Sequence, residues 1–151
     1  MNKQMVMSWM ICMCLGCGAH AGRPAACPAI EMTAVADAPT DSTRTVALDD
    51  GKTLALTRTP VVTSADITGA RASQDNGQWV LQFDLTDEAA KRVQDFSKQH
   101  VGRTVALLLD GKVRGTPKIV GPLTGKGFQI GVSDRAEGER LATAVGNGCK
   151  R

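Results

Sequence analysis

The stretch VGRTVALLLDGKVRGTP, residues Val101–Pro117, decides the fold. Residues Thr104–Leu109 are apolar on both faces, which is typical of a central strand. Asp110-Gly111 follows, and a tight hairpin turn needs the positive φ that these residue types tolerate. Val113 begins the return strand, and Pro117 limits the pairing of that segment, which favours a sheet edge. The stretch therefore predicts a hairpin between a buried strand and an exposed one.

Two other turns have the same chemistry, at Asp49-Asp50-Gly51 and at Asp75-Asn76-Gly77. Apolar segments flank both turns, which predicts two further hairpins. In Trp79–Leu85 the apolar residues alternate at period two, so this strand is expected to bury one face. TSADI, residues Thr63–Ile67, predicts a short helical turn between the hairpins.

Two helices are expected after these strands. Thr86 is a good N-cap, and the acids that follow it suit the positive end of a helix dipole, so a first helix begins here and ends near Gly102. Ser133 or Asp134 caps a second helix that Gly146 stops. The order of strands, helix, strands and helix predicts an α+β fold: a largely antiparallel sheet built from hairpins, with two helices packed on one face.

The chain begins with a pattern typical of an export signal. Residues 1–21 hold one early Lys, an uncharged apolar stretch and Ala19-His20-Ala21, a small-x-small cleavage site. A competing interpretation is a lipoprotein signal ending at Leu15-Gly16-Cys17, with lipid on Cys17, although Cys14 stands where such signals carry Leu, Val or Ile. No other apolar run is long enough to cross a bilayer, so no transmembrane span is expected after the signal.

The sequence then divides into a lead-in, a domain and a tail. Residues 22–45 carry three prolines and are expected to be an irregular lead-in. Residues 46–146 form the α+β domain, and residues 147–151 form a C-terminal tail.

Cysteine use fits an oxidising compartment. Removal of residues 1–21 leaves Cys27 and Cys149, and an even pair after export suggests a disulfide that ties the two ends of the domain together. Two free thiols or a metal pair are the alternatives, but two cysteines without a nearby His are poor zinc ligands, and no metal site is expected.

Charge is unevenly distributed along the chain. Residues 31–88 contain ten acidic and four basic residues, and residues 89–126 contain two acidic and eight basic ones. These charges either form two oppositely charged faces or interleave in the fold. The net charge of +3 and the aromatic content of 3% argue against nucleic acid as a partner.

Signatures of catalysis are absent. His100 is the only His after the signal, at the expected end of the first helix, where it would interact with the last carbonyls. Without a base beside a nucleophile no catalytic triad is expected. GPLTGKG, residues 121–127, fails the Walker pattern in spacing and in the residue after Lys126, so no nucleotide cofactor is expected.

Four segments carry a family resemblance: VVTSADITGARAS, WVLQFDLTDEAAKRVQDFS, VGRTVALLLDGKV and GFQIGVSDRAEGERLATAV. Their order resembles the head subdomain of the first periplasmic domain of SecD and SecDF, over Val61–Val145. The Leu109-Asp110-Gly111 element is the most specific part. The family carries transmembrane helices and acts in the membrane with SecF, so the proton-driven cycle does not transfer to a chain expected to be a free-standing exported protein.

The resemblance implies contact with an emerging polypeptide, although a fold alone does not fix a function. We therefore expect a non-enzymatic binding module in the periplasm or secreted, whose partner is a polypeptide or an envelope protein. The alternatives are a lipid-anchored structural lipoprotein of the outer membrane and an exported enzyme of unrecognised type. The candidate partner surface lies in the basic segment after the Asp-Gly turn and comprises Lys112, Arg114, Lys118 and Lys126.

Overall fold

The computed structural model describes residues 27–148. The expected signal peptide 1–21, Cys17 and Cys149 lie outside these residues. The strands are β1 (Ile30–Ala34), β2 (Thr43–Ala47), β3 (Thr53–Thr57), β4 (Val62–Thr63), β5 (Ile67–Asp75), β6 (Gln78–Leu85), β7 (Val105–Leu109), β8 (Lys112–Gly115) and β9 (Gly127–Gly131). The helices are α1 (Asp87–Gln99) and α2 (Arg135–Gly148), and a 3₁₀ turn covers Ser64–Asp66.

The strands are distributed over three sheets. Their orders are β4-β1-β7-β8, β2-β3 and β5-β6-β9. Every strand pairing within residues 27–148 is antiparallel. The α+β class with antiparallel strands is confirmed.

Strand β7 is the centre of the four-stranded sheet, and all five of its residues are buried. Leu107 and Leu109 face the main core, whereas Ala106 and Leu108 pack with Leu56 of the β2–β3 hairpin on the other side. The apolar run without a polar face is thus explained, since one face meets the helices' core and the other meets a second, smaller core.

The Asp-Gly turn has the expected backbone. Asp110 and Gly111 both have positive φ, 51° and 78°, which is the requirement of a type I′ turn. The carboxylate of Asp110 accepts a hydrogen bond from the Ala29 N–H at 2.9 Å, so the turn also holds the start of β1.

Both helices pack on one face of the β5-β6-β9 sheet. The Thr86 hydroxyl accepts the Ala89 N–H at 3.2 Å and caps α1, and an Asp134 carboxylate oxygen accepts the Glu137 N–H at 2.8 Å at the start of α2. The main core joins residues of α1, α2 and β6, including Ala89, Val93, Leu141, Val145, Leu81 and Phe83.

The prediction of an irregular lead-in over 22–45 is wrong for Ile30–Ala34, which form β1 between β4 and β7. Local patterning missed this strand because its main partner, β7, lies far along the chain. The first three residues of β2, Thr43–Thr45, also fall inside the expected lead-in. The predicted tail at 147–151 is wrong for its first two residues, since α2 continues to Gly148.

One position on β6 departs from the expected alternation. Val80 points away from the helices but is 7% exposed. Gln129 of β9 and Asp75 of β5 form a 2.9 Å hydrogen bond that spans β6 on this outer face. Polar side chains of the neighbouring strands thus shield an apolar one, which period-two counting does not foresee.

Candidate interaction surface

Residues 116–126 form a loop that connects the edge strand β8 of one sheet to the edge strand β9 of another; we call it the connecting loop. It is held against the end of α1. The Ile119 carbonyl accepts the Gly102 N–H at 2.7 Å, and the Ile119 N–H donates to the Arg103 carbonyl at 2.8 Å. The Leu123 N–H donates to the buried Ser97 hydroxyl at 2.8 Å. With the Ile119 side chain only 4% exposed, the loop is fixed at both of these points.

Of the four predicted surface cations, two form ion pairs in the structure and two do not. Arg114 donates to Glu137 of α2 at 2.7 Å, and Lys126 lies 2.5 Å from Asp87 at the start of α1. Lys112 and Lys118 are exposed and form no ion pair within residues 27–148. Only these two are therefore available to a partner without breaking an internal contact.

The carboxylates bound by Arg114 and Lys126 are stabilised in the charged form. The Ser133 N–H, together with Arg114, holds the pKa of Glu137 below its ordinary value despite partial burial. A hydrogen bond and the charge of Lys126 lower the pKa of Asp87. Arg114 is therefore engaged with α2 in a partly shielded contact, whereas the contact between Lys126 and Asp87 is exposed on both sides and contributes little to stability.

Ion pairs also decide how the uneven charge is arranged. Arg92 pairs with Asp66 and Arg103 with Asp37, and the Lys126–Asp87 pair described above is of the same kind. Each joins the basic segment 89–126 to the acidic segment 31–88. The charges interleave at these contacts, as one of the two interpretations of the sequence expected.

Three large hydrophobic side chains within residues 27–148 are exposed, and each lies just after α1 or on the loop that is hydrogen-bonded to the end of this helix. Val101 is 51% exposed, Val120 89% and Leu123 41%. Val101 follows α1, and the other two belong to the connecting loop that is hydrogen-bonded to that helix end. We call these three residues the apolar cluster. Sequence reasoning missed it, although the only local signal, Ile-Val-Gly-Pro-Leu inside a polar loop, was present.

The TSADI turn, which lies in one of the segments that resemble the SecD head, connects several elements of the fold. One Asp66 carboxylate oxygen accepts the Thr63 N–H at 2.9 Å, and the other lies 2.8 Å from Arg92 Nη2 of α1. Burial by itself would raise the pKa of Asp66, but the hydrogen bonds from Arg92 and Thr63 and the Arg92 charge outweigh it and lower the pKa. The Asp66 carbonyl also accepts the Thr86 N–H at 2.9 Å. The turn thus joins β4, β6 and α1.

A groove of about 880 Å³ lies beside this turn, with Cys27, Ser64 and Gly148 among its lining residues. Ser64 donates to the Pro28 carbonyl at 2.8 Å and accepts the Ile30 N–H at 2.7 Å, so its hydroxyl is already engaged. Cys27 is disulfide-bonded. Its predicted partner, Cys149, lies outside the described residues, so the pairing stays a prediction.

The sole His of residues 27–148 occupies the expected place. His100 is the C-cap of α1, its Nδ1 lies 2.8 Å from the Phe96 carbonyl oxygen, and its ring stacks on Phe96 with centroids 4.1 Å apart. The prediction of a helix-end role is confirmed. Within the described part of the chain no group of three or more His, Cys, Asp or Glu side chains is arranged to hold a metal ion.

None of the helices between residues 27 and 148 is long and apolar enough to cross a membrane. The fold and the surface define a class: a small α+β domain whose most distinctive exposed feature is a set of apolar side chains just after α1 and on the loop fixed to it.

The sequence model of the SecDF P1 head subdomain matches residues 40–149. The chain belongs to this family. It is 39% identical over 90 residues to the protein translocase subunit SecD of Acidaminococcus fermentans and 41% identical over 98 residues to that of Thermobaculum terrenum. These matches cover 58% and 63% of this chain, but only 22% and 19% of the relatives, so the chain spans about a fifth of their length.

A solved structure of SecDF, described as a membrane component that enhances protein export, superposes with a TM-score of 0.65 at 23% identity. It covers 82% of this chain and 64% of the other. A SecDF structure in a super-membrane-facing form gives 0.66 over the same 82% of this chain and 19% of its own length. At this identity the likeness establishes the fold.

Proposed function

We propose that this protein is an exported, non-enzymatic module of the cell envelope that contacts polypeptides during protein export. The observation that carries the proposal is the combination of SecDF P1 head membership with a loop that is fixed to the helix end and still exposes both an unpaired cation, Lys118, and apolar side chains. The relatives are translocase subunits, and contact with polypeptide is the part of such a role that an exposed surface of a head-like domain can perform.

The polypeptide-contact proposal is tested by site-specific photo-crosslinking in living cells. A photoreactive residue at Lys118 is expected to give specific products with polypeptides in the envelope, because this side chain is exposed and unpaired. The same residue at Gln78, an exposed position at the start of β6 and outside the connecting loop, is the matched control. Absence of any specific product from Lys118 above background would contradict the proposal.

We further propose that residues 1–21 are removed on export and that the mature protein, beginning at Gly22, carries a Cys27–Cys149 disulfide in the periplasm. The sequence around Cys17 supports a second candidate, a lipid-anchored lipoprotein. The intact mass of the non-reduced protein from cells separates the two. A Gly22 start with two fewer hydrogens supports the first, and a lipid-modified Cys17 start supports the second.

A further inference from the structure

We propose that the apolar cluster, Val101, Val120 and Leu123, is the docking site for an extended, apolar polypeptide segment with acidic neighbours. The inference rests on the proposed function and adds to it the place of contact. Val120 is the most exposed of the cluster at 89%. A Val that is exposed this far gains nothing from the fold, and covering it removes apolar surface from water.

The loop backbone beside Val120 is also open. The N–H and C=O groups of Val120 and Gly121 make no hydrogen bond to the described residues, whereas both backbone groups of the preceding Ile119 are used. Polypeptides that bind in extended form obtain affinity from such unpaired main-chain groups and specificity from side-chain pockets. An apolar side chain next to open backbone groups is therefore suited to a peptide chain.

The same open backbone argues against a lipid bilayer as the occupant. Unpaired N–H and C=O groups are disfavoured in the hydrocarbon region because nothing there can bond to them. Insertion of Val120 would carry the neighbouring Gly121 groups toward that region. A polypeptide can instead satisfy them.

Charge defines the acidic character of the segment. Lys118 stands two residues before Val120, is exposed, and has no ion pair within residues 27–148. Arg103, whose carbonyl accepts the Ile119 N–H, is not a second unpaired cation, because it pairs with Asp37. An unpaired cation beside apolar residues complements a segment that carries both apolar and acidic side chains.

The loop is preorganised, and the cluster is small. The buried Ile119 side chain and the 2.8 Å Leu123–Ser97 hydrogen bond hold the loop in place, so binding orders little of the protein itself. Three side chains offer an area well below that of a stable complex. Weak binding with fast release follows from this small area.

The test uses a permanently unfolded acidic polypeptide, reduced and carboxymethylated α-lactalbumin, titrated into the protein as purified from cells. The double variant Val120→Ser with Leu123→Ser is expected to bind about tenfold more weakly than the original protein. Val120→Ile keeps the apolar surface and is expected to retain binding, and Thr124→Ser serves as a neutral change in the same loop. Thermal unfolding of each variant checks that the fold is intact.

The outcomes separate the site from the function. If the original protein binds the unfolded polypeptide and the double variant binds it equally well, the docking site is wrong while the proposed function stands. If the original protein does not bind it at all, the proposed function itself fails. Sedimentation with phosphatidylglycerol vesicles completes the test. A double variant that loses vesicle binding and keeps polypeptide binding overturns the inference in favour of a membrane surface.

Discussion

The TSADI turn and the connecting loop are both irregular segments between strands, but they use their polar groups in opposite ways. In the turn, the Asp66 carboxylate binds Thr63 and Arg92, and the Asp66 carbonyl binds Thr86. In the loop, the backbone groups of Val120 and Gly121 have no partner among the described residues. The turn uses its polar groups for contacts within the fold, whereas the loop leaves the backbone groups of Val120 and Gly121 available.

This difference separates family signature from functional surface. The turn is one of the elements that make the sequence resemble the SecD head, and its role is to hold strands and α1 together. Substitution there is expected to cost stability. The connecting loop carries only a weak sequence signal, and its exposed side chains contribute little to the stability of the fold. Substitution there is expected to cost binding while stability is kept.

The largest expected effect concerns the proposed disulfide between Cys27 and Cys149. Replacing Cys27 and Cys149 together by Ser is expected to lower the free energy of unfolding by about 4 kcal/mol, because the bridge closes a long loop in the unfolded chain. Denaturant unfolding measures the change. Two free thiols in the non-reduced protein, or an unchanged stability in the double variant, would contradict the pairing.

The next effect lies where the connecting loop ends. A Cβ at Gly127 would stand 2.1 Å from the Phe83 carbonyl oxygen, so Gly127→Ala must push β9 away from β6. We expect a loss of about 2–4 kcal/mol. Gly125→Ala is the matched control, since its Cβ would meet nothing closer than 3.9 Å. Equal unfolding midpoints for the two variants would show that the loop boundary is not where the structure places it.

Two Asp–Arg ion pairs differ in how far they are shielded from water. Asp66 and Asp37 each bind an Arg, at 2.8 and 2.7 Å, but their side chains are 19% and 83% exposed. Asp66→Asn is expected to cost about 2 kcal/mol because it weakens the Arg92 contact and the Thr63 cap. Asp37→Asn is expected to change stability by no more than about 0.5 kcal/mol. Thermal unfolding of both variants decides; a larger loss for Asp37→Asn would reverse the comparison.

The same carboxylate predicts a pH dependence. The pKa of Asp66 is lowered in the folded protein, so its charged form stabilises the fold above the unfolded pKa of about 4. This contribution is lost as the pH falls below that value and through the lower folded pKa. The stability difference between the original protein and Asp66→Asn is therefore expected to shrink between pH 5 and pH 3, and a difference that stays constant would contradict this role.

Much of the fold follows from local chemistry. Asp110-Gly111 and Asn76-Gly77 both have the positive φ that their residue types predict, and Thr86 caps α1 as its position in the sequence indicates. Strand β1 could not be predicted in the same way, because its place depends on pairing with the distant β7. Period and turn signals describe neighbours in sequence, and they do not reveal which distant segment supplies a partner.

The candidate surface was predicted only in part for a similar reason. A charge count places Arg114 and Lys126 on a basic segment, but their acidic partners, Glu137 and Asp87, come from other elements. The exposure of Val120 likewise depends on how the loop lies against α1. Such features require the tertiary structure.

The smallest expected effect on stability belongs to Val120, the most exposed residue of the apolar cluster. Val120→Ser should change the free energy of unfolding by less than about 0.5 kcal/mol, because the side chain is 89% exposed. An unchanged unfolding curve together with weakened polypeptide binding would show that the Val120 side chain contributes to binding and not to stability.

Amide chemical shifts during titration with the unfolded polypeptide test that claim most directly, because the two regions then report side by side. We expect the largest changes at Val120 and Gly121, whose N–H groups are open, while the hydrogen-bonded Thr63 N–H of the TSADI turn stays unchanged. Changes concentrated on the turn, or spread evenly over both regions, would contradict it.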